Sequence, residues 1–96
     1  MKFVSLSPST SEGKKYKIVF SDPPKTIHFG SKGSSTYLDH KDKAKREAYI
    51  ARHRVNEDWS KINAGSLSKF LLWGESTRLS TNLASYLKRF NISSGG

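Results

Sequence analysis

The stretch KKYKIVFSDPPKTIHFGS, residues 14–31, decides the fold. Tyr16, Ile18 and Phe20 alternate with Lys17 and Val19, and Ile27 and Phe29 alternate with Thr26 and His28. A period of two over several β-branched and aromatic residues predicts a half-buried strand on each side. Between them, SDPPK is turn chemistry, because two prolines cannot donate to the ladder of a central strand. The prediction is an antiparallel hairpin with Tyr16, Ile18, Phe20, Ile27 and Phe29 on one face. Two strands alone are marginal in water, so other elements must cover that face.

Those elements lie downstream. GSKGSST, from Gly30, reads as a mobile loop; its Gly30 and Gly33 lack the spacing of a phosphate-binding motif. LDHKDKAKREAYIARHRV predicts a helix, with Asp39 as its cap and Asp42 in its first turn. Ala44, Ala48, Ala51 and Val55 form a small-residue stripe on it, read as its packing face, with Tyr49 and Ile50 as added anchorage. SLSKFLLWG predicts a short second helix, capped by Ser66, burying Leu67, Phe70 and Leu71 and ended by Gly74. STRLSTNLASYLKRF predicts a third, capped by Ser76, with Leu79, Leu83, Leu87 and Phe90 on its apolar face. Trp59 reads as a core plug.

The expected fold class is therefore α+β: an antiparallel β-hairpin packed on three short helices. Residues 1–14, rich in Ser, Thr, Pro and Gly, read as a flexible N-terminal arm in which Phe3, Val4 and Leu6 can dock as a short strand. Residues 15–90 form a single small basic domain, and 91–96, NISSGG, a flexible tail. The expected core is Tyr16, Ile18, Phe20, Ile27, Phe29, Ile50, Trp59, Leu67, Phe70, Leu71, Trp73, Leu79, Leu83, Leu87 and Phe90.

Seventeen Lys and Arg face eight Asp and Glu in 96 residues, a formal charge of +9. Such a field favours nucleic acid, an acidic protein surface or anionic lipid. There is no cysteine, which excludes disulfides and thiolate chemistry. The longest apolar cluster, FLLW at 70–73, is far short of a membrane span. The opening MKFVSLSPSTSEGKK is too weakly apolar for a secretory signal. The expectation is a soluble protein of the cell interior, or of a particle assembled there.

His28, His40 and His53 are scattered without metal-ligand spacing. Asp39 and Asp42 read as helix-start acids rather than a catalytic pair, and no nucleophile motif accompanies the serines. No enzyme activity, cofactor, metal or small-molecule substrate is expected. Binding remains. The helix at 40–54 carries Lys41, Lys43, Lys45, Arg46, Arg52 and Arg54 against Asp42 and Glu47, and can lie along phosphates. The last two helices also suit a helix-turn-helix through GEST, presenting Arg78, Thr81, Asn82, Ser85 and Lys88 outward. The polyanion- or partner-binding set is Lys32, Lys41, Lys45, Arg46, Arg52, Arg54, Arg78, Lys88 and Arg89.

As an ordered set, KKYKIVF, KTIHFGSKG, YLDHKD, YIARHRVNEDW, AGSLSKFLLWG and YLKRF resemble small basic proteins of large double-stranded DNA viruses of eukaryotes, notably algal viruses. The likeness covers about Lys15 to Phe90. It implies a viral protein associated with the virion, present in the host cell interior during assembly, and brings no catalytic residues with it. Two roles follow. One is a minor capsid or cement component contacting capsid proteins or other virion proteins through its basic surface and extended termini. The other is a nucleic-acid-binding module that holds DNA through the basic helix 40–54.

Overall fold

The computed structural model describes residues 1–93. The predicted hairpin is present as β2 (Lys14–Ser21) and β3 (Lys25–Ser31), antiparallel, with Tyr16 opposite Phe29 and Ile18 opposite Ile27. Directly opposed residues share a face, so the period-two reading gives the correct inward set. Ile18, Phe20 and Phe29 are essentially solvent-free, and the Tyr16 and Phe29 rings stack at 6.0 Å. The turn between the strands has Asp22 at positive φ, a conformation aspartate tolerates better than most residues, ahead of the two prolines.

Lys2–Pro8, expected within a flexible arm, form a third strand, β1, on the edge beside β2. Phe3 faces Phe20 and Leu6 faces Ile18 across a register shift between Phe3 and Ser5. Phe3 and Leu6 are three apart and would point to opposite faces of a regular strand. The irregularity turns both towards the core and leaves Val4 55% exposed. The end of the chain closes on the same edge. The Phe3 amide donates to the Ser93 carbonyl at 2.8 Å, and Ile92 is buried in the core. The flexible-tail reading thus gives way at Ile92 and Ser93; the rest of that tail, residues 94–96, lies outside the described residues.

The first predicted helix is broken. α1 (Tyr37–His40) ends at Lys41, whose φ of 55° is left-handed, and α2 (Lys43–His53) begins afresh. The N-cap of α1 is Thr36; Asp39, the expected cap, sits inside the first turn and accepts from the Thr36 amide at 2.8 Å. That hydrogen bond, aided by Lys15 and opposed by slight burial, holds the Asp39 carboxyl below the usual carboxylate range. Asp42, read as a first-turn acid, is the N-cap of α2 and accepts from the Ala44 and Lys45 amides. Its own amide donates to His40 Nδ1 at 3.0 Å.

α2 buries the face opposite to the one expected. Ala44, Ala48, Ala51 and Val55 are all exposed, Val55 by 75%. Arg46, Tyr49, Ile50 and His53 face inward, about half a turn round the helix. Covering Tyr49 removes far more apolar surface from water than covering alanines. Its ring lies parallel to Trp73 at 4.4 Å and stacks on His53 at 4.2 Å. Burial, reinforced by the Glu57 charge, pushes the Tyr49 phenol up to about 12.

α3 (Ala64–Leu67) starts from Asn63, whose side chain accepts from the Ser66 amide; Ser66, the expected cap, sits inside the first turn and answers the Asn63 amide. The helix runs on as a wider π-helical turn over Ser68–Leu72. That turn places Leu71 and Leu72 together in the core with Leu67. Leu72 reaches the sheet because β3 offers Gly30: a Cβ there would stand 2.9 Å from Leu72 Cδ1. Gly30, expected in the loop, is therefore a close-packing position within β3. α4 (Leu79–Arg89) closes the core with Tyr86 and Leu87, starting three residues after the Ser76 expected to cap it. Trp59 is only half-buried, its indole N–H donating to Glu57 Oε1 at 2.8 Å, and is not the expected core plug.

Candidate polyanion-binding surface

The charge excess is carried on the outside of this frame. Among the described residues, only Lys2, Lys15 and Lys61 of the lysines and arginines form ion pairs with carboxylates. Lys32 sits in the turn after β3, and Lys41 at the left-handed end of α1. Lys45, Arg52 and Arg54 follow on or just beyond α2, and Arg78, Lys88 and Arg89 at the start and last turn of α4. All eight are exposed.

On α2 the cations flank the alanine stripe. At 100° per residue, Lys45 and Arg52 fall on one side of it, and Lys43, Glu47 and Arg54 on the other. The result is a shallow helix face with positive charge along both margins, tempered on one by a single glutamate. The kink at Lys41 takes that residue off the α2 helical face, although the unbroken helix expected from the sequence places it there.

Arg46 does not belong to this surface. It is half-buried, and its Nε donates to the carbonyls of Trp73 and Gly74, both at 3.0 Å. Its guanidinium stands 5.7 Å from the Tyr37 ring centre. These contacts satisfy carbonyls that the end of the π-helical turn leaves without helical partners, so the residue clamps α2 to the chain after α3. Asn82 is a second correction. Expected on the outward side of α4, it is 4% exposed. Its Nδ2 donates to Leu71 O at 2.9 Å and Ser76 O at 2.8 Å, and its Oδ1 accepts from the Ser76 amide at 3.1 Å. It holds the turn before α4 and has no side-chain group left for a base edge, so the helix-turn-helix reading loses its central residue.

Two hollows gather polar groups. One, about 460 Å³, lies between the loop after β3, α2 and α3; Lys14 and Arg52 meet Ser34, Thr36 and the His53–Glu57 pair there. The other, about 270 Å³, lies between the π-helical turn and α4 and contains Lys69 and Arg89. Lys69, absent from the expected binding set, stands 4.7 Å from the Phe70 ring centre, and Arg89 is 4.3 Å from the same ring. Lysine stems commonly lie along apolar surface with the ammonium at its rim, so its place beside Phe70 was the available signal. The described residues hold no cluster of three or more metal-ligating side chains, and none of their helices is long and apolar enough to cross a membrane.

Comparison with curated proteins finds no match, and comparison with solved structures finds none. A family described as one of unknown function, DUF5754, matches residues 4–53, just over half of the chain. The matched segment runs from inside β1 to the last residue of α2, so it takes in the whole hairpin, the α1–α2 kink and the charged helix face. On that extent of match, the chain belongs to the DUF5754 family of unknown function.

Proposed function

We propose that this protein is a non-enzymatic nucleic-acid-binding module that engages phosphates through the exposed face of α2. The observation that carries this reading is the set of exposed cations without carboxylate partners, with Lys45 and Arg52 aligned on one margin of the helix. Unpaired exposed cations are available to displace counterions from a polyanion, which is the main source of sequence-independent affinity. The termini weigh in the same direction. β1 and Ile92 are tied into the domain, so the described chain offers no extended arm with which to reach neighbours.

The test is fluorescence anisotropy with labelled duplex and single-stranded DNA across a salt series. Replacing Lys45, Arg52 and Arg54 with Gln is expected to weaken binding and to flatten the salt slope by about 0.9 for each duplex phosphate that is no longer neutralised. Unchanged affinity and slope would refute the reading. Arg46 is left intact, because its replacement disturbs the fold.

A second reading is favoured by the bare alanine stripe. Ala44, Ala48, Ala51 and Val55 expose a shallow face that a protein neighbour can approach closely, and the likeness to viral proteins suggests a capsid protein or another virion protein as that neighbour. In this reading the protein is a minor capsid or cement component. It would be recovered with purified particles, and Ala48→Leu would block incorporation while leaving DNA affinity intact. Absence from particles would exclude it.

A further inference from the structure

The hollow between the π-helical turn and α4 gathers two cations, Lys69 and Arg89, with the Glu75 carboxylate also on its lining. Lys69 and Arg89 share the Phe70 ring, and neither forms an ion pair. Lys69 is only partly exposed. Burial first, then repulsion by Arg46 and Arg89, moves its ammonium below the usual lysine range, with Glu75 opposing weakly. Lys69 and Arg89 repel one another, and an anion within reach of both side chains relieves that repulsion. Hydroxyl groups of Ser76, Thr81 and Ser85 line the same hollow. The Ser76 Oγ accepts from the Arg78 amide at 3.0 Å, which leaves its hydrogen free to donate. At about 270 Å³ the space is smaller than a site for a drug-sized molecule and suits a compact oxyanion.

We propose that this hollow binds a phosphate group, with Lys69 and Arg89 supplying the charge and the Ser76 and Ser85 hydroxyls completing its hydrogen bonds. The phosphate can be free, or part of a nucleic-acid backbone; only the second source rests on the nucleic-acid reading above. Arg89 brings a planar fork of donors suited to phosphate oxygens, and Lys69 a compact charge.

The experiment is an amide-resolved NMR titration of the full chain with inorganic phosphate against sodium chloride at matched ionic strength, then with a short DNA duplex. Saturable shifts at Ser76, Thr81 and Ser85 in phosphate but not chloride are expected. Lys69→Gln should weaken phosphate about tenfold or more, the loss of one charge-assisted hydrogen bond. Lys69→Arg, which keeps the charge, should retain binding, and Lys25→Gln, at the exposed start of β3, should change nothing. Intact amide patterns elsewhere show that each variant folds.

Shifts that follow ionic strength alone, or phosphate binding indifferent to Lys69→Gln, would overturn the site. If phosphate moves these amides and DNA moves only those of α2, the site takes free phosphate. If both ligands move them, it takes a backbone phosphate. If DNA moves α2 and phosphate moves nothing, this site fails while the nucleic-acid reading stands.

Discussion

Replacing Asn82 with Ala should destabilise the protein by about 2–4 kcal/mol. The carboxamide makes three hydrogen bonds, two donated to the carbonyls of Leu71 and Ser76 and one accepted from the Ser76 amide. A neutral hydrogen bond contributes about 1 kcal/mol net, so the three together contribute about 3 kcal/mol. The partners respond differently to the loss. Ser76 is half-exposed, and water can take over its amide and carbonyl. Leu71 is fully buried, so its carbonyl is stranded and adds a desolvation cost of about 1–3 kcal/mol. Recovery at Ser76 and the added cost at Leu71 offset one another in part, which gives the stated range. Urea unfolding followed through Trp59 and Trp73 fluorescence measures it, and the midpoint should fall by about 1–3 M with little change in slope. Ser85→Ala, on the exposed side of the same helix, should stay within about 0.5 kcal/mol of the parent. If Asn82→Ala is equally mild, the side chain does not tie α4 to the turn before it, and an outward, ligand-reading Asn82 returns to consideration.

Gly74→Ala should also destabilise the protein. The added Cβ would lie 2.3 Å from the Phe70 carbonyl oxygen and 2.8 Å from Asn82 Cγ, so main chain has to move. A loss of about 1–3 kcal/mol or more, roughly 5–15 °C in melting temperature, is expected by calorimetry. Ile92→Ala should cost about 2–4 kcal/mol in the same assay, since Ile92 is 6% exposed within the core; a near-neutral result would restore a free tail. Tyr86→Phe should cost only about 1 kcal/mol, because Ser66 Oγ loses its 2.8 Å bond to the phenol but keeps those to Asn63. Burial pushes the phenols of Tyr49 and Tyr86 up to about 12 from 10.0. Both prefer the neutral form when folded. The stability tied to them is complete below pH 10 and is lost as pH rises from 10 towards 12. Phenolate absorbance during alkaline titration should show them ionising late, and together with unfolding.

Much of the fold was legible because it rests on local pattern. The alternation around SDPPK specified two strands and their inward residues, since period two and turn chemistry act over a few residues. The leucine repeat of α4 was equally plain. Leu72, Tyr37, Tyr49, Tyr86 and Ile92 were absent from the expected core for separable reasons. Leu72 joins it because a π-helical turn shifts the register by one residue from the α-helical one. Three of the others are tyrosines: Tyr49 was read only as added anchorage beside an alanine packing face, and the hydroxyls of Tyr37 and Tyr86 make them look like surface residues until the rings find neighbours; Tyr86 also finds a buried serine.

Composition and sequence alone determined the charge, the absence of thiol chemistry, the hairpin and the α+β class. Those depend on residue identity and near-neighbour spacing. Tertiary structure decided which side of α2 is buried, that the chain breaks at Lys41, that an irregular β1 completes the sheet, and that Arg46 and Asn82 serve the fold rather than a partner. Each of those outcomes depends on a partner distant in sequence. Tyr49 requires Trp73, Arg46 the carbonyls at the end of the π-helical turn, Phe3 the carbonyl of Ser93, and Asn82 the carbonyl of Leu71. Period and propensity carry no information about such pairings. A polar side chain reads as surface until the fold brings it a buried group to satisfy.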